Sequence, residues 1–397
     1  MTRRVAMVTV HTSPIAVPGS ADAGGMNIMV TSSAIALAEA GWQVDLVTRR
    51  TSPDQERISE PHPGVRLHHL DAGPVRSVAK ADAEILIQPF ADAFRTWLAA
   101  DGAGTDIVHS HHWFSGVAAL NAAHAAGLPH VMSYHSVAAA AGRSSLDAGE
   151  QPESAGRRAG EAWAAQHSEL ILAVSSSERR TIIADCGADP SRIRVVHPGV
   201  DIDLFHPRTD GDATGQLLCA ARIEPLKGVD AAIRITHELH MLTGEPRRLT
   251  IAGGAAPEWS SYAETLRRLV RERDLSEYVR FVGPQDRAAL AALLRGSDLL
   301  INPSFSETYG IINLEAAASG TPVIAHRSSG MCESVWDGRT GILMDNRDDS
   351  AWARTAADLL GDDDRRRALS SSARATAVHR PWAVVAEELG EAYMQLL

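Results

Sequence analysis

The stretch "FSETYGIINLEAAASGTPVIA" runs from Phe305 to Ala325. It starts as a polar loop, becomes helical, stops at Gly320-Thr321-Pro322 and passes into a new apolar, β-branched run. A loop, a helix, a Gly-Pro stop and a strand in that order make the return arm of a βαβ unit. The segment also carries two acids, Glu307 and Glu315, with seven residues between them. Glu307 is expected at or before the helix start, where the helix dipole stabilises its charge. Glu315, eight residues on, is a little over two turns away and falls near the same side. Ordinary helix chemistry accounts for the pair as a first-turn charge and a surface residue. The alternative is a ligand site, with the backbone N–H groups of Tyr309, Gly310 and Ile311 meeting hydroxyls and the deeper Glu315 holding a diol.

Outward from this unit the same grammar repeats. Upstream lie the strands "QLLCAAR", "RLTIAGG", "VRFVGP" and "LLINPS", separated by helices "GVDAAIRITHELHML", "SYAETLRRLVRERDL" and "DRAALAALLRGS" whose apolar residues recur near i, i+3, i+4 and i+7. The first half reads alike: "RVAMVTV", a Gly-rich loop, the helix "MNIMVTSSAIALAEAG", then "QVDLVTR", "DIVHSH", "HVMSYH", "LILAVS" and "IRVVHPGV" as strands. Alternating strands and helices imply parallel sheets. The fold class is therefore α/β, with two doubly wound Rossmann-like domains facing across a cleft. Pro, Gly and Asp punctuate "HPGVDIDLFHPRTDGDATG" and place the boundary there. The expected domains are residues 1–200 and 201–378, followed by an amphipathic C-terminal helix in 379–397. The polar stretch "GEQPESAGRRAGE" is expected to be a loop that forms an active-site wall.

Composition bounds the function classes. The 397 residues suffice for two to three domains, and a net charge of −11 without a basic block argues against nucleic acid or an anionic membrane as partner. No apolar run is long enough to span a bilayer, and the basic-then-apolar N-terminus reads as a first strand rather than a leader. Three widely spaced cysteines, Cys186, Cys219 and Cys332, with no CxxC pair, fit a reducing, cytoplasmic location and no zinc site.

Three further motifs carry chemistry. "SADAGGMN", Ser20 to Asn27, follows the first strand and opens a helix, so the Gly25 backbone can approach an anion at a helix N-terminus. It is not GxGxxG, and a plain turn explains it equally well. In "ARIEPLKG", Arg222 and Lys227 follow a strand on one loop; two such cations neutralise a diphosphate and stabilise it as a leaving group, unless they are a solvated surface pair. His109, His111 and His112 cluster in "DIVHSHHW", and His135 ends "HVMSYH". With no carboxylate partner visible, they read better as a polar cleft at strand C-termini than as a metal site.

Taken together, the ordered motifs "HPGVDIDLFHP", "ARIEPLKG", "FVGP", "PSFSETYGIINLEAAASGTPVIA" and "GILMD" resemble glycosyltransferase family four, retaining enzymes of the GT-B fold, over nearly the whole chain. "HTSPIAVPGSADAGGMN" and "HSHHWFSG" are similar to the actinobacterial D-inositol-3-phosphate glycosyltransferases of mycothiol synthesis, which move N-acetylglucosamine from UDP to inositol phosphate. The resemblance implies a nucleoside-diphosphate-sugar donor held by Gly25, Arg222, Lys227, Val282, Glu307, Tyr309, Gly310, Ile311 and Glu315. Arg222 and Lys227 would take the diphosphate, Glu315 the ribose and Glu307 the sugar hydroxyls; Glu307, Arg222, Lys227 and His135 form the implied catalytic set. It places the acceptor at His11, Asn27, Lys80, His112, Ser136 and Arg157. Here His112 stands where the relatives have a tyrosine, and Ser136 where they have a threonine. Attack and departure on one sugar face, the leaving phosphate oxygen taking the acceptor proton, would require no covalent carboxylate, no cofactor and no metal. The resemblance also implies that the C-terminal helix in 379–397 crosses back to the first domain, and relatives suggest a homodimer. A secondary-metabolism enzyme with a non-phosphorylated acceptor, such as a thiol joined to a GDP-sugar in lincosamide pathways, is the alternative. A sugar-nucleotide binder without activity and a GT-B epimerase or phosphorylase are the remaining readings.

Overall fold

A computed structural model describes residues 2–16, 19, 23–138, 155–208 and 215–397. The central β-branched runs of the sequence become strands buried on both faces, as parallel strands covered by helices must be, while the edge strands stay partly exposed. In the first domain these are β1 Arg4–Thr9, β2 Gln43–Arg49, β3 Ile58–His62, β4 Val65–Leu70, β5 Ile107–His111, β6 His130–Ser133, β7 Leu170–Ala173 and β8 Ile193–Val195. Their order is β3-β4-β2-β1-β5-β6-β7-β8, parallel throughout except for the β3–β4 hairpin. The second domain holds β9 Gln216–Ala220, β10 Arg248–Ala252, β11 Val279–Gly283, β12 Leu299–Asn302, β13 Val323–His326 and β14 Gly341–Met344, ordered β11-β10-β9-β12-β13-β14 and wholly parallel.

Alternation along the central strands divides each domain into two apolar layers. Val5 and Met7 of β1 pack with Val30 and Leu37 of the helix Gly25–Glu39, while Ala6 and Val8 face Phe90, Phe94 and Trp113 on the opposite side. In β9, Leu217 and Cys219 meet Ile233, Leu266 and Trp352, and Leu218 faces Leu294, Leu314 and Ala373. The closing helix, Trp382–Met394, does not belong to the domain that precedes it. Val385, Leu389 and Tyr393 enter the first domain's core beside Val5 and Met7, and Tyr393 Oη lies 2.7 Å from His109 Nδ1. The chain thus crosses between the domains twice, and the crossings run side by side at the Val200–Pro381 bridge.

The β3–β4 hairpin is an element that hydrophobic patterning does not predict. Of the stretch expected as a loop wall, residues 149–154 lie outside the described residues, and the remainder belongs to the helix Ala155–His167.

Candidate active site

The carboxyl ends of both sheets point into one interdomain cleft of about 430 Å³, within the range of small-molecule sites. In each domain the cleft lies at the switch point of the strand order, beside β1 and β5 in one and β9 and β12 in the other. His11 follows β1, His112 follows β5, His135 and Ser136 follow β6, and all four line the cleft. Arg222 and Lys227 follow β9 on the facing wall, with Glu307, Tyr309, Gly310, Ile311 and Glu315.

The Gly-rich loop closes one end. A Cβ on Gly24 would lie 3.8 Å from Arg222 Nε, and one on Gly25 would lie 3.6 Å from Ile311 Cδ1. Two helix N-termini, those of Gly25–Glu39 and Ile311–Ala318, therefore meet across the cleft. Their unsatisfied amides and dipoles favour an anion between them. Gly310 holds φ 89° at the second of these, and a Cβ there would come within 2.8 Å of Asn313 Nδ2. Gly253, also in the cleft wall, has φ 145°, and its Cβ would strike the Ala221 carbonyl at 1.9 Å.

Backbone strain concentrates here. Among the described residues four non-glycines have positive φ, and three of them, His112, His135 and Ser329, line the cleft. Such conformations cost of order 1–3 kcal/mol each and cluster at functional sites.

The two glutamates are not related by helical spacing. The helix begins at Ile311, because Gly310 takes a left-handed conformation just before it, so Glu307 sits in the preceding loop. Its charge is met by Lys227 Nζ at 2.9 Å and by the Ser304 hydroxyl, which donates to Oε1 at 3.1 Å. Nor is Glu315 a surface residue: it is 1% exposed, and its Oε1 accepts from Arg287 Nη2 at 2.6 Å. Arg222 pairs with Glu224 at 3.0 Å and remains partly open to the cleft. Both cations are thus built into the wall rather than solvated.

The histidines are wired into hydrogen bonds. His111 Nδ1 lies 2.9 Å from His135 Nε2, and the His135 carbonyl accepts from Thr308 Oγ1 of the other domain at 2.8 Å. His109 Nε2 meets Ser133 Oγ at 2.9 Å. Burial pushes the imidazoles of His109 and His111 well below their usual pKa and that of His135 down to about 3, so these rings are neutral. Among the described residues no group of three or more His, Cys, Asp and Glu side chains is disposed to hold a metal ion.

Some sequence-derived site residues lie elsewhere. Asn27 is 2% exposed and does not line the cleft; its amide braces the Gly-rich loop, accepting from Gly24 N at 2.9 Å and donating to the Ser13 carbonyl at 2.7 Å. Val282 packs against the second domain's core beside the cleft, its carbonyl accepting from Gln285 Nε2 at 2.8 Å. Arg157 is buried, with Nε on Glu161 Oε1 at 2.8 Å and Nη2 on Ser136 Oγ at 3.1 Å. Lys80 opens the short 3-10 helix Lys80–Leu86, and its side chain lies outside the described residues.

Arg287 was not foreseen. It starts the helix Arg287–Arg295, lines the cleft, and lays its guanidinium 4.7 Å over the Phe205 ring. A basic residue in a first helical turn opposes the dipole, and that mismatch is the signal that a carboxylate, here Glu315, waits nearby. Glu178 and Thr308 also line the cleft without prior indication.

Comparison with known proteins gives the same assignment for both halves. The profile described as Glycosyltransferase Family 4 matches residues 23–204, and that described as Glycosyl transferases group 1 matches residues 209–376. The chain is 36% identical to the D-inositol 3-phosphate glycosyltransferase of Pseudarthrobacter chlorophenolicus, covering 98% of this chain and 95% of that one. It is 35% identical to the D-inositol 3-phosphate glycosyltransferase of Mycolicibacterium smegmatis, covering 100% of this chain and 92% of the relative. Among solved structures, the sucrose-phosphate synthase of Thermosynechococcus elongatus superposes with a TM-score of 0.88 at 27% identity, over 99% of each chain. With two Rossmann-like domains, strained residues at the facing strand ends and relatives that match along the whole chain, this protein belongs to glycosyltransferase family 4, enzymes of the GT-B fold.

Proposed function

We infer that this glycosyltransferase moves a sugar from a nucleoside diphosphate to inositol phosphate with retention of configuration, the donor being UDP-N-acetylglucosamine. The observation that carries this reading is the pairing of Arg222 and Lys227 at the switch-point strand β9 with the Gly-rich helix N-terminus opposite. The acceptor follows from the names of the relatives.

In this reading the diphosphate lies between Arg222, Lys227 and the Gly25 amide. As the glycosidic bond breaks, negative charge grows on the leaving phosphate oxygen, and charges fixed in a water-poor cleft stabilise it more than they stabilise the bound donor. Lys227 can serve both partners, since Glu307 orients its ammonium from behind. Glu307 then accepts from the sugar hydroxyls and Glu315 from the ribose. Neutral imidazoles at His111 and His135 leave the acceptor side without added positive charge beside the developing oxocarbenium ion. Protein cations fill the role that a metal fills elsewhere. The free cysteines, with Cys186 and Cys219 buried, suit the cytoplasm, and a homodimer completes the reading.

The test is release of UDP from UDP-N-acetylglucosamine in excess EDTA, with and without inositol phosphate. Acceleration by inositol phosphate, undiminished by EDTA, is the expected result. No acceleration, or strict dependence on magnesium or manganese, overturns it. A second reading, a non-phosphorylated acceptor such as a thiol, is favoured by one observation: the Arg157 guanidinium already bonds Glu161 and Ser136. Unphosphorylated inositol and small thiols, tried with UDP- and GDP-sugars, belong in the same assay.

A further inference from the structure

The helix Ser176–Cys186 leaves the carboxyl end of β7 and lays Glu178, Thr181 and Asp185 along the cleft. Steps of three and four residues put them in one stripe down a helical face. Glu178 is 4% exposed. Its Oε2 accepts from the Val174 amide, one residue before the cap, at 2.7 Å, and its own amide donates to the cap hydroxyl Ser175 Oγ at 2.9 Å, so Glu178 helps to hold the helix start. A cap uses one carboxylate oxygen. The other, Oε1, is buried and no donor meets it at full hydrogen-bond distance and angle, although the His135 amide also pulls on the carboxylate. An unanswered buried acceptor costs about 1–3 kcal/mol, a penalty that a ligand hydroxyl removes. Burial, helped by the nearby Glu161 charge, also raises the Glu178 carboxyl to about 7, against the pull of the Val174 and His135 amides.

We propose that Glu178 recognises the acceptor: Oε1 takes a hydroxyl of a polyol lying along the Glu178–Thr181–Asp185 stripe. This rests on the reading of the cleft as a transfer site for a small-molecule acceptor. A stripe with two carboxyl groups repels an anion, so any phosphate on the acceptor lies away from this helix, toward Ser136 and His112. Three other polar groups of the wall already have partners: Ser136 Oγ takes Arg157, the Thr181 hydroxyl returns to the Ser177 carbonyl at 3.2 Å, and His135 Nε2 meets His111.

Glu178→Gln separates recognition from capping. It keeps the volume and an oxygen for the Val174 amide, but cannot offer two acceptors. Calorimetric titration of UDP-saturated protein with inositol is expected to show binding at least about ten-fold weaker in Glu178→Gln than in the parent, with Tm unchanged. Equal affinity in the two proteins, with Tm lowered in Glu178→Ala, reduces Glu178 to a cap and overturns the proposal. Absence of inositol binding to the parent overturns it as well. Transfer is read separately. Inositol-phosphate-driven UDP release with the same acceptor KM in Glu178→Gln sinks the role of Glu178 and leaves the transfer reading standing. Inositol binding lost in Glu178→Gln, with no release in the parent, does the reverse.

Discussion

Arg222 and Lys227 are asked to stabilise a charge that is larger in the transition state than in the bound donor. Arg222→Ala or Lys227→Ala is therefore expected to lower kcat by about two orders of magnitude or more. Tm should hold for Arg222→Ala, whose side chain is partly open. It should fall modestly for Lys227→Ala, which strips Glu307 of its 2.9 Å partner. Steady-state kinetics with thermal melts check both, and near-normal kcat in either variant removes that residue from the leaving-group site. A second expectation concerns His130, which is wholly buried between Ser110 and Ser168, with its pKa pushed down to about 3, chiefly by burial. A histidine depressed in the folded state is neutral there, while the unfolded chain takes up a proton near 6.5. Its contribution is complete above that value and is lost as pH falls from about 6.5 toward 3, at up to about 1.4 kcal/mol per pH unit. Urea midpoints measured from pH 7.5 to 5 should fall, and fall less in His130→Gln if that variant folds. An unchanged slope assigns the loss to other groups. At this scale the cleft was legible where residue types declared their chemistry, as with the two cations and the two glutamates. It was not legible for Glu178, which reads as an ordinary acid in a first helical turn, and for Arg287 only the mismatch with the helix dipole gave a sign, without naming Glu315 as its partner.

Elements decide how the cleft is held shut. The short helix Met331–Ser334 of the second domain presents Glu333 to the N-terminus of the first domain's helix Ser176–Cys186. Its carboxylate accepts from the amides of Ser176 at 2.8 Å and Ser177 at 3.0 Å and meets His197 Nε2 at 3.1 Å. Burial works against its charge, but these bonds outweigh it and hold the carboxyl below its usual pKa. A negative charge capping a helix it does not belong to contributes about 0.3–2 kcal/mol, and here that energy exists only with the domains together. Glu333→Ala is expected to raise the donor KM several-fold and enlarge the radius of gyration in small-angle scattering, with helix content unchanged. An unaltered radius and KM would show the contact to be incidental. Most strands were readable because buried parallel strands must be apolar and short. The β3–β4 hairpin was not, since "ISEPH" is polar and contains Pro61, which an edge strand tolerates. The same-side relation of Glu307 and Glu315 failed because helical spacing was carried back through Gly310, where the backbone turns left-handed before the helix begins at Ile311.

For the whole molecule, the double-domain α/β plan follows from repetition of one strand–helix grammar, whereas the relation between domains depends on contacts no local pattern records. The helix Trp382–Met394 shows this best. By local pattern alone its apolar face could have covered either sheet, and only the family resemblance pointed to the first; Val385, Leu389 and Tyr393 fill the first. Truncation after Pro381 should therefore unfold the first domain rather than the second, and limited proteolysis should leave a resistant fragment containing residues 215–377. Loss of the second domain instead would place the helix's energetic role there. The order of synthesis acquires a twist from this arrangement. On the ribosome the first domain emerges before the second, yet it lacks part of its interior until the helix Trp382–Met394 has left the exit tunnel, so the half made first is finished only after the second has been made. A nascent chain must carry an open apolar face for the time it takes to translate an entire second domain, and that interval is when this protein most needs a chaperone.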